Sequence, residues 1–191
     1  MRTIFLKLEE DEYLALFTMH HITSDGWSMA LLTREVAVLY DAFSAGVPSP
    51  LPELPVQYAD FAHWQRNWLR GEVLDAHLDF WKQQLNGAPL VHQLPTDRPR
   101  PAVPTYRGTN LSVTLPADVT ATLKALSREE GVTLFMTLLA TFKVFLYRYT
   151  GQEDLIVGSP IANRHRHELE RLIGFFLNTL AMRTNLSGNP T

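Results

Sequence analysis

Hydrophobic and polar positions along this chain switch between two periods. Tyr13 to Met19 is nearly all apolar and aromatic, the pattern of a strand covered on both faces, and Leu32, Val36, Leu39 and Phe43 then recur at helical spacing. Strand therefore gives way to helix around Gly26. Phe61, Trp64 and Trp68 form an aromatic stripe at helical spacing, and Leu74, Leu78, Trp81 and Leu85 form a second apolar stripe that Gly87 ends. Beyond Gly108, the alternation of Leu111, Val113 and Leu115 predicts a half-buried strand, with Pro116 where a helix begins. That helix carries Val119, Leu123 and Leu126 and stops at Gly131. Thr133 is placed to cap a longer, strongly apolar helix that runs to about Thr150 and meets Gly151. Leu155 to Val157 and Leu177 to Thr184 predict two further strands. The fold class expected is α/β of the α+β type.

Two proline-rich stretches punctuate this pattern. Ser44 to Val56 holds Pro48, Pro50, Pro52 and Pro55, which bars regular helix and central strand and predicts a connecting loop. Gly87 to Gly108 holds Pro89, Pro95, Pro99, Pro101 and Pro104, long enough to be an interdomain linker. The organisation expected is therefore residues 1–87, a linker over 88–107, and residues 108–191.

Composition narrows the function classes. A chain of 191 residues that is 46% hydrophobic can bury a substantial core. No apolar run approaches the roughly 20 residues a membrane helix needs, and the first residues lack a secretory pattern. The absence of cysteine excludes disulfides, a thiol nucleophile and cysteine-bound zinc, and fits the cytosol. Seventeen basic against twenty acidic residues give a net charge of −3, which offers no general attraction to nucleic acid. In the local exception, Arg164-His165-Arg166-His167, the two histidines are expected in a solvated loop or helix start.

Chemistry concentrates where strand becomes helix, in Met19-His20-His21-Ile22-Thr23-Ser24-Asp25-Gly26-Trp27-Ser28. Neighbouring strand residues point to opposite faces, so His20 and His21 share a cleft only if the strand has already ended. A neutral imidazole, with a pKa of about 6.5, can take a proton from an attacking amine near neutral pH. Asp25 admits two roles: an ion pair with a distant arginine, or the cap of a helix starting near Ser28. Gly26 suits a sharp turn that a side chain would obstruct. On spacing alone, a packed histidine beside an exposed one is the commoner meaning of such a pair, and adjacent histidines fit zinc poorly.

Three motifs in order carry a family resemblance over essentially the whole chain. Met19 to Ser28 resembles the His-His-x-x-x-Asp-Gly motif of the condensation domains of nonribosomal peptide synthetases. Tyr58 to Gln65 resembles their Tyr-x-Asp-Phe-Ala-x-Trp motif, and Ile173 to Arg183 their Ile-Gly-x-Phe-Val-Asn-Thr-Leu-x-x-Arg motif, with Leu177 for valine. The second is read mainly as packing. In the third, Gly174 permits a tight approach, Asn178 and Thr179 satisfy backbone groups, and Arg183 is expected to be solvated. Further motifs of the family, two upstream and two downstream, are absent. The resemblance thus implies an internal piece of a chloramphenicol acetyltransferase-like, two-lobe architecture with both lobes incomplete.

The resemblance also implies chemistry. The parent enzyme would join two acyl groups carried as thioesters on the 4'-phosphopantetheine arms of donor and acceptor peptidyl carrier domains, beside an adenylation domain, in the cytoplasm. No cofactor would be bound directly. His21 is the implied base or positioning group, Asp25 pairs with Arg164 (Arg166 competing), and the Gly26 N–H is a candidate oxyanion donor. His20, Ser28 and Asn178 are expected in support. Epimerisation, ester formation, or a truncated piece acting only in binding are the alternatives.

Overall fold

The structure, a computed structural model, describes residues 1–99 and 101–188. Nine regular elements follow one another among them: β1 (Arg2–Lys7), β2 (Tyr13–Thr18), α1 (Gly26–Ser44), α2 (Tyr58–Trp68), α3 (Glu72–Leu85), α4 (Ala117–Glu129), α5 (Leu134–Thr150), β3 (Asp154–Ile161) and β4 (Asn178–Asn185). β1 pairs antiparallel with β2, from Arg2 opposite Thr18 to Lys7 opposite Tyr13, and β3 pairs with β4 in a second two-stranded sheet. Mixed helix and strand is thus observed as expected.

Helix ends follow the sequence closely. Thr133 caps α5 by accepting from the Met136 N–H, and Gly151 ends the helix at φ +69°, a left-handed conformation natural to glycine. Gly87 follows α3 at φ +68°. In α2 the N-terminus is closed by Gln57 and Asp60, the Asp60 carboxylate accepting from the Gln57 N–H at 2.8 Å.

Two expectations fail. β2 is not covered on both faces: Tyr13, Leu14 and Leu16 are exposed, because the β1–β2 hairpin has only its own two strands. The Leu111–Leu115 strand does not form, and Leu111 and Val113 stand 88% and 75% exposed. Alternation supplies a face for burial but no partner for the backbone, and among the described residues none pairs with it. Conversely, β1 is a strand that the hydrophobic pattern left unassigned.

The chain divides into two compact units, Met1–Lys82 with Gly158–Leu180, and Gln83–Val157 with Ala181–Thr191. The core of the first is built by Phe61, Leu169, Leu172 and Phe176, with Leu54, Val56 and Tyr58 against it. Phe61 and Phe176 lie with ring centroids 4.7 Å apart. In the second unit α4 packs on α5, and the buried hydroxyls of Ser127 and Thr137 meet at 2.7 Å. Leu146 and Leu155 are buried there, together with Lys143, whose Nζ donates to Thr184 Oγ1.

Candidate functional site

β2 stops at Thr18, so His20 and His21 leave the strand before their side chains must diverge. His20 caps a one-turn 3-10 helix over His21–Thr23, its Nδ1 accepting from the Ile22 N–H at 3.0 Å. The His20 ring is thus engaged locally, and the residue is exposed. Among the described residues no protein group hydrogen-bonds the ring of His21, which is exposed and meets the ring of Phe175 edge to face, centroids 5.3 Å apart at 89°.

Asp25 fulfils both roles considered for it. Its backbone is extended, and its Oδ1 accepts from the Ser28 N–H at 2.9 Å, capping α1. The same carboxylate accepts from Arg164 Nη2 at 3.1 and 3.3 Å, in a pair whose side chains are 1% and 2% exposed. The Phe176 N–H donates to its Oδ2 at 3.1 Å. Burial works against this charge, but the Ser28 hydroxyl, the Ser28 and Phe176 N–H groups and the Arg164 guanidinium outweigh it, holding the Asp25 carboxyl below the usual carboxylate range.

Ser28 is the hub of the cluster. Its hydroxyl lies 2.7 Å from Asp25 Oδ1 and 2.8 Å from the Gly174 carbonyl, and it accepts from the Gly174 N–H and from Arg164 Nη2. Arg164 also donates through Nη1 to the carbonyls of Leu169 and Leu172 and lies 4.0 Å over the Phe176 ring; its buried Nε has no partner among the described residues. The competing Arg166 instead stands over Trp64 at 5.5 Å.

A side chain at Gly26 would meet nothing within 4 Å, and its φ is not left-handed. The obstructed turn expected there is thus absent. What position 26 provides is the first N–H of α1, which has no acceptor inside the helix. Gly174 does have the expected tight approach, since a Cβ there would overlap the Tyr58 ring. Asn178 is exposed, and its Oδ1 accepts from the neighbouring Thr179 N–H.

Arg183 corrects the sequence reading. Rather than being solvated, it holds Asp154 at 2.9 and 2.6 Å and donates to the carbonyls of Gln84 and Asn86. Its hydrogen bonds to Asp154 push the Asp154 carboxyl below its ordinary range. Trp64 and Trp68, read as packing, are half exposed and stacked on each other. They line a cavity of about 550 Å³ with Asp60, His77, Arg166 and Asn178. The contact of Phe175 with His21 carried no sequence signal, since nothing in the spacing links positions so far apart; the Trp27 indole, donating to the Glu170 carbonyl at 2.8 Å, is a second such link. Among the described residues no group of three metal-ligating side chains occurs, and no single helix is long and apolar enough to cross a membrane.

The chain is 56% identical over 191 residues, all of its length and 2% of the relative's, to a component of the linear gramicidin synthase of Brevibacillus parabrevis. It is 46% identical over 186 residues, 97% of its length and 17% of the relative's, to phosphinothricin tripeptide synthetase PhsC of Streptomyces viridochromogenes. It thus spans a small part of the curated relatives it matches. Among solved structures, the X-domain from teicoplanin biosynthesis shares 30% identity and a TM-score of 0.89 over the whole chain and 43% of that chain. The four-domain nonribosomal peptide synthetase holo-AB3403 shares 30% and 0.82 over 96% of this chain and 14% of that one. The chloramphenicol acetyltransferase-like fold class expected from the three motifs is borne out by these neighbours. With the family described as the condensation domain matching residues 1–191, the chain belongs to the condensation domain family of nonribosomal peptide synthetases.

Proposed function

We propose that this chain carries the catalytic His-His-x-x-x-Asp-Gly segment of a domain that joins two acyl groups as an amide. The substrates would arrive as thioesters on the 4'-phosphopantetheine arms of donor and acceptor peptidyl carrier domains, in a cytoplasmic synthetase that also holds an adenylation domain. The acceptor amine attacks the donor thioester carbonyl, forming a C–N bond; the tetrahedral intermediate then expels the donor arm's thiol as the C–S bond breaks. His21 receives the amine proton or holds the amine by a hydrogen bond, and the proton passes to the departing sulfur. The Gly26 N–H, at a helix N-terminus, is the proposed oxyanion donor. Asp25, Arg164 and Ser28 hold the turn that presents His21; His20 shapes that turn, and Asn178 has a supporting place. Alignment of two tethered reactants supplies much of the rate, roughly 7 to 11 kcal/mol in well-oriented systems.

The observation that carries this reading is the contrast between the two histidines. His20 spends its Nδ1 on the backbone, whereas the exposed His21, four positions before a buried, ion-paired aspartate, has no hydrogen bond to either ring nitrogen among the described residues. The test is His21→Ala in the full-length synthetase, with carrier domains of that synthetase loaded with their own amino acids. Condensation product should vanish while the unfolding midpoint is kept.

A second reading is that the chain serves docking alone. It is supported by the likeness, at a TM-score of 0.88, to an X-domain in complex with OxyB from teicoplanin biosynthesis. Undiminished condensation by the His21→Ala protein would favour it.

A further inference from the structure

We infer that Phe175 is a positioning residue for His21. The inference rests on the proposed role of His21 and deepens it. A general base or amine-holding imidazole needs a fixed ring plane, and the usual device is a hydrogen bond to one ring nitrogen from a carboxylate or carbonyl. None is present among the described residues, where the contact made by the ring is the perpendicular one with Phe175 at 5.3 Å. An edge-to-face pair of this kind restrains ring orientation while consuming neither nitrogen. Both nitrogens remain free to bond amine and leaving group in turn.

Such a contact positions something only if Phe175 is itself held, and it is. Tyr58 Oη donates to the Phe175 carbonyl at 2.8 Å. On one side of it, Gly174 is bonded through both its N–H and its carbonyl to the Ser28 hydroxyl. On the other, the Phe176 N–H is bonded to Asp25. The backbone is thus clamped at three successive residues while Phe175 stays 36% exposed, outside the core that takes Phe176. Two adjacent phenylalanines therefore have divided tasks: Phe176 packs under Arg164, and Phe175 faces the imidazole. Every anchor of Phe175 lies in one of the three motifs, which gives the Tyr58 motif a connection to the site beyond packing.

The test compares Phe175→Leu, Phe175→Tyr and His21→Ala in the full-length synthetase, following kcat and KM for amide formation between its own loaded carrier domains. Phe175→Leu keeps an apolar side chain but loses the flat ring. It should lower kcat roughly two- to tenfold, the equivalent of an aromatic pair. KM for either loaded carrier and the unfolding midpoint should stay as in the natural protein. Phe175→Tyr, which retains the ring, should restore kcat. An unchanged kcat in the Leu protein, a raised KM with intact kcat, or a Tyr protein as slow as the Leu protein would each overturn the inference while His21→Ala remains inactive. Full activity of His21→Ala would instead remove the underlying reading of His21.

Discussion

The hydroxyl of Ser28 is hydrogen-bonded to both the N–H and the carbonyl of Gly174, residues 146 positions apart in the chain. A single side-chain oxygen thereby joins the first turn of α1 to the segment that leads into β4. Ser28→Ala would leave these backbone groups and one Arg164 nitrogen short of a partner in a fully buried place. We expect a loss of roughly 2 to 3 kcal/mol in urea unfolding, more than a surface serine costs. Since Asp25 still accepts from the backbone N–H at position 28, α1 should keep its helicity by circular dichroism.

The Asp25–Arg164 pair should fail asymmetrically. Removing one partner leaves a buried charge alone, so Asp25→Ala should cost about 3 to 5 kcal/mol and reduce soluble yield as well as condensation rate. Arg164→Lys should not restore stability, because an ammonium cannot span the carbonyls of Leu169 and Leu172 and the carboxylate together. Thermal unfolding of both variants checks this.

Acid should remove the contribution of Asp25 in a definable window. Its folded value lies below the ordinary 3.8, so as pH falls the unfolded chain binds the proton first. The stabilisation is complete above the ordinary value and is lost as pH falls through the lowered one. The stability gap between the natural protein and Asp25→Asn should hold while the pH stays above the ordinary 3.8 and shrink as the pH falls below it. A gap that widens on acidification contradicts the assignment.

Lys143 should show the opposite use of burial. Desolvation lowers its pKa from the ordinary 10.5, so between the two values the unfolded chain holds more protons and stability rises with pH. Lys143→Met should stabilise at neutral pH by on the order of 1 kcal/mol, an advantage that fades as pH approaches the ordinary lysine value. Urea titrations across alkaline pH measure it.

Gly174→Ala should force a clash with the Tyr58 ring and cost roughly 1 to 3 kcal/mol. The ring itself, not its hydroxyl, is the obstacle, so Tyr58→Phe should give no relief. Tyr58→Leu should make the second change cheaper than the sum of the two, a coupling that a double-mutant cycle reads directly.

Local signals sufficed for the elements whose causes are local. The caps at Thr133 and Gly151, the end of α3 before Gly87 and the start of α1 after Asp25 all depend on residues within one helical turn, and each stands where the local residue pattern places it. The three motifs likewise carried the family, and with it the pairing of Asp25 with Arg164. Whether a stretch is buried or paired depends instead on what lies across from it. Among the described residues Leu111 to Leu115 alternates without a partner, the apolar faces of β2 stay exposed, and Arg183 finds Asp154, all matters of contacts distant in sequence. So too with the site: the chain itself determined that a histidine, an aspartate and a glycine stand at a strand-to-helix turn. Only the tertiary structure decided that His21 meets Phe175 while His20 accepts from the Ile22 N–H, because an aromatic contact between residues this far apart exists only once the intervening chain has folded back.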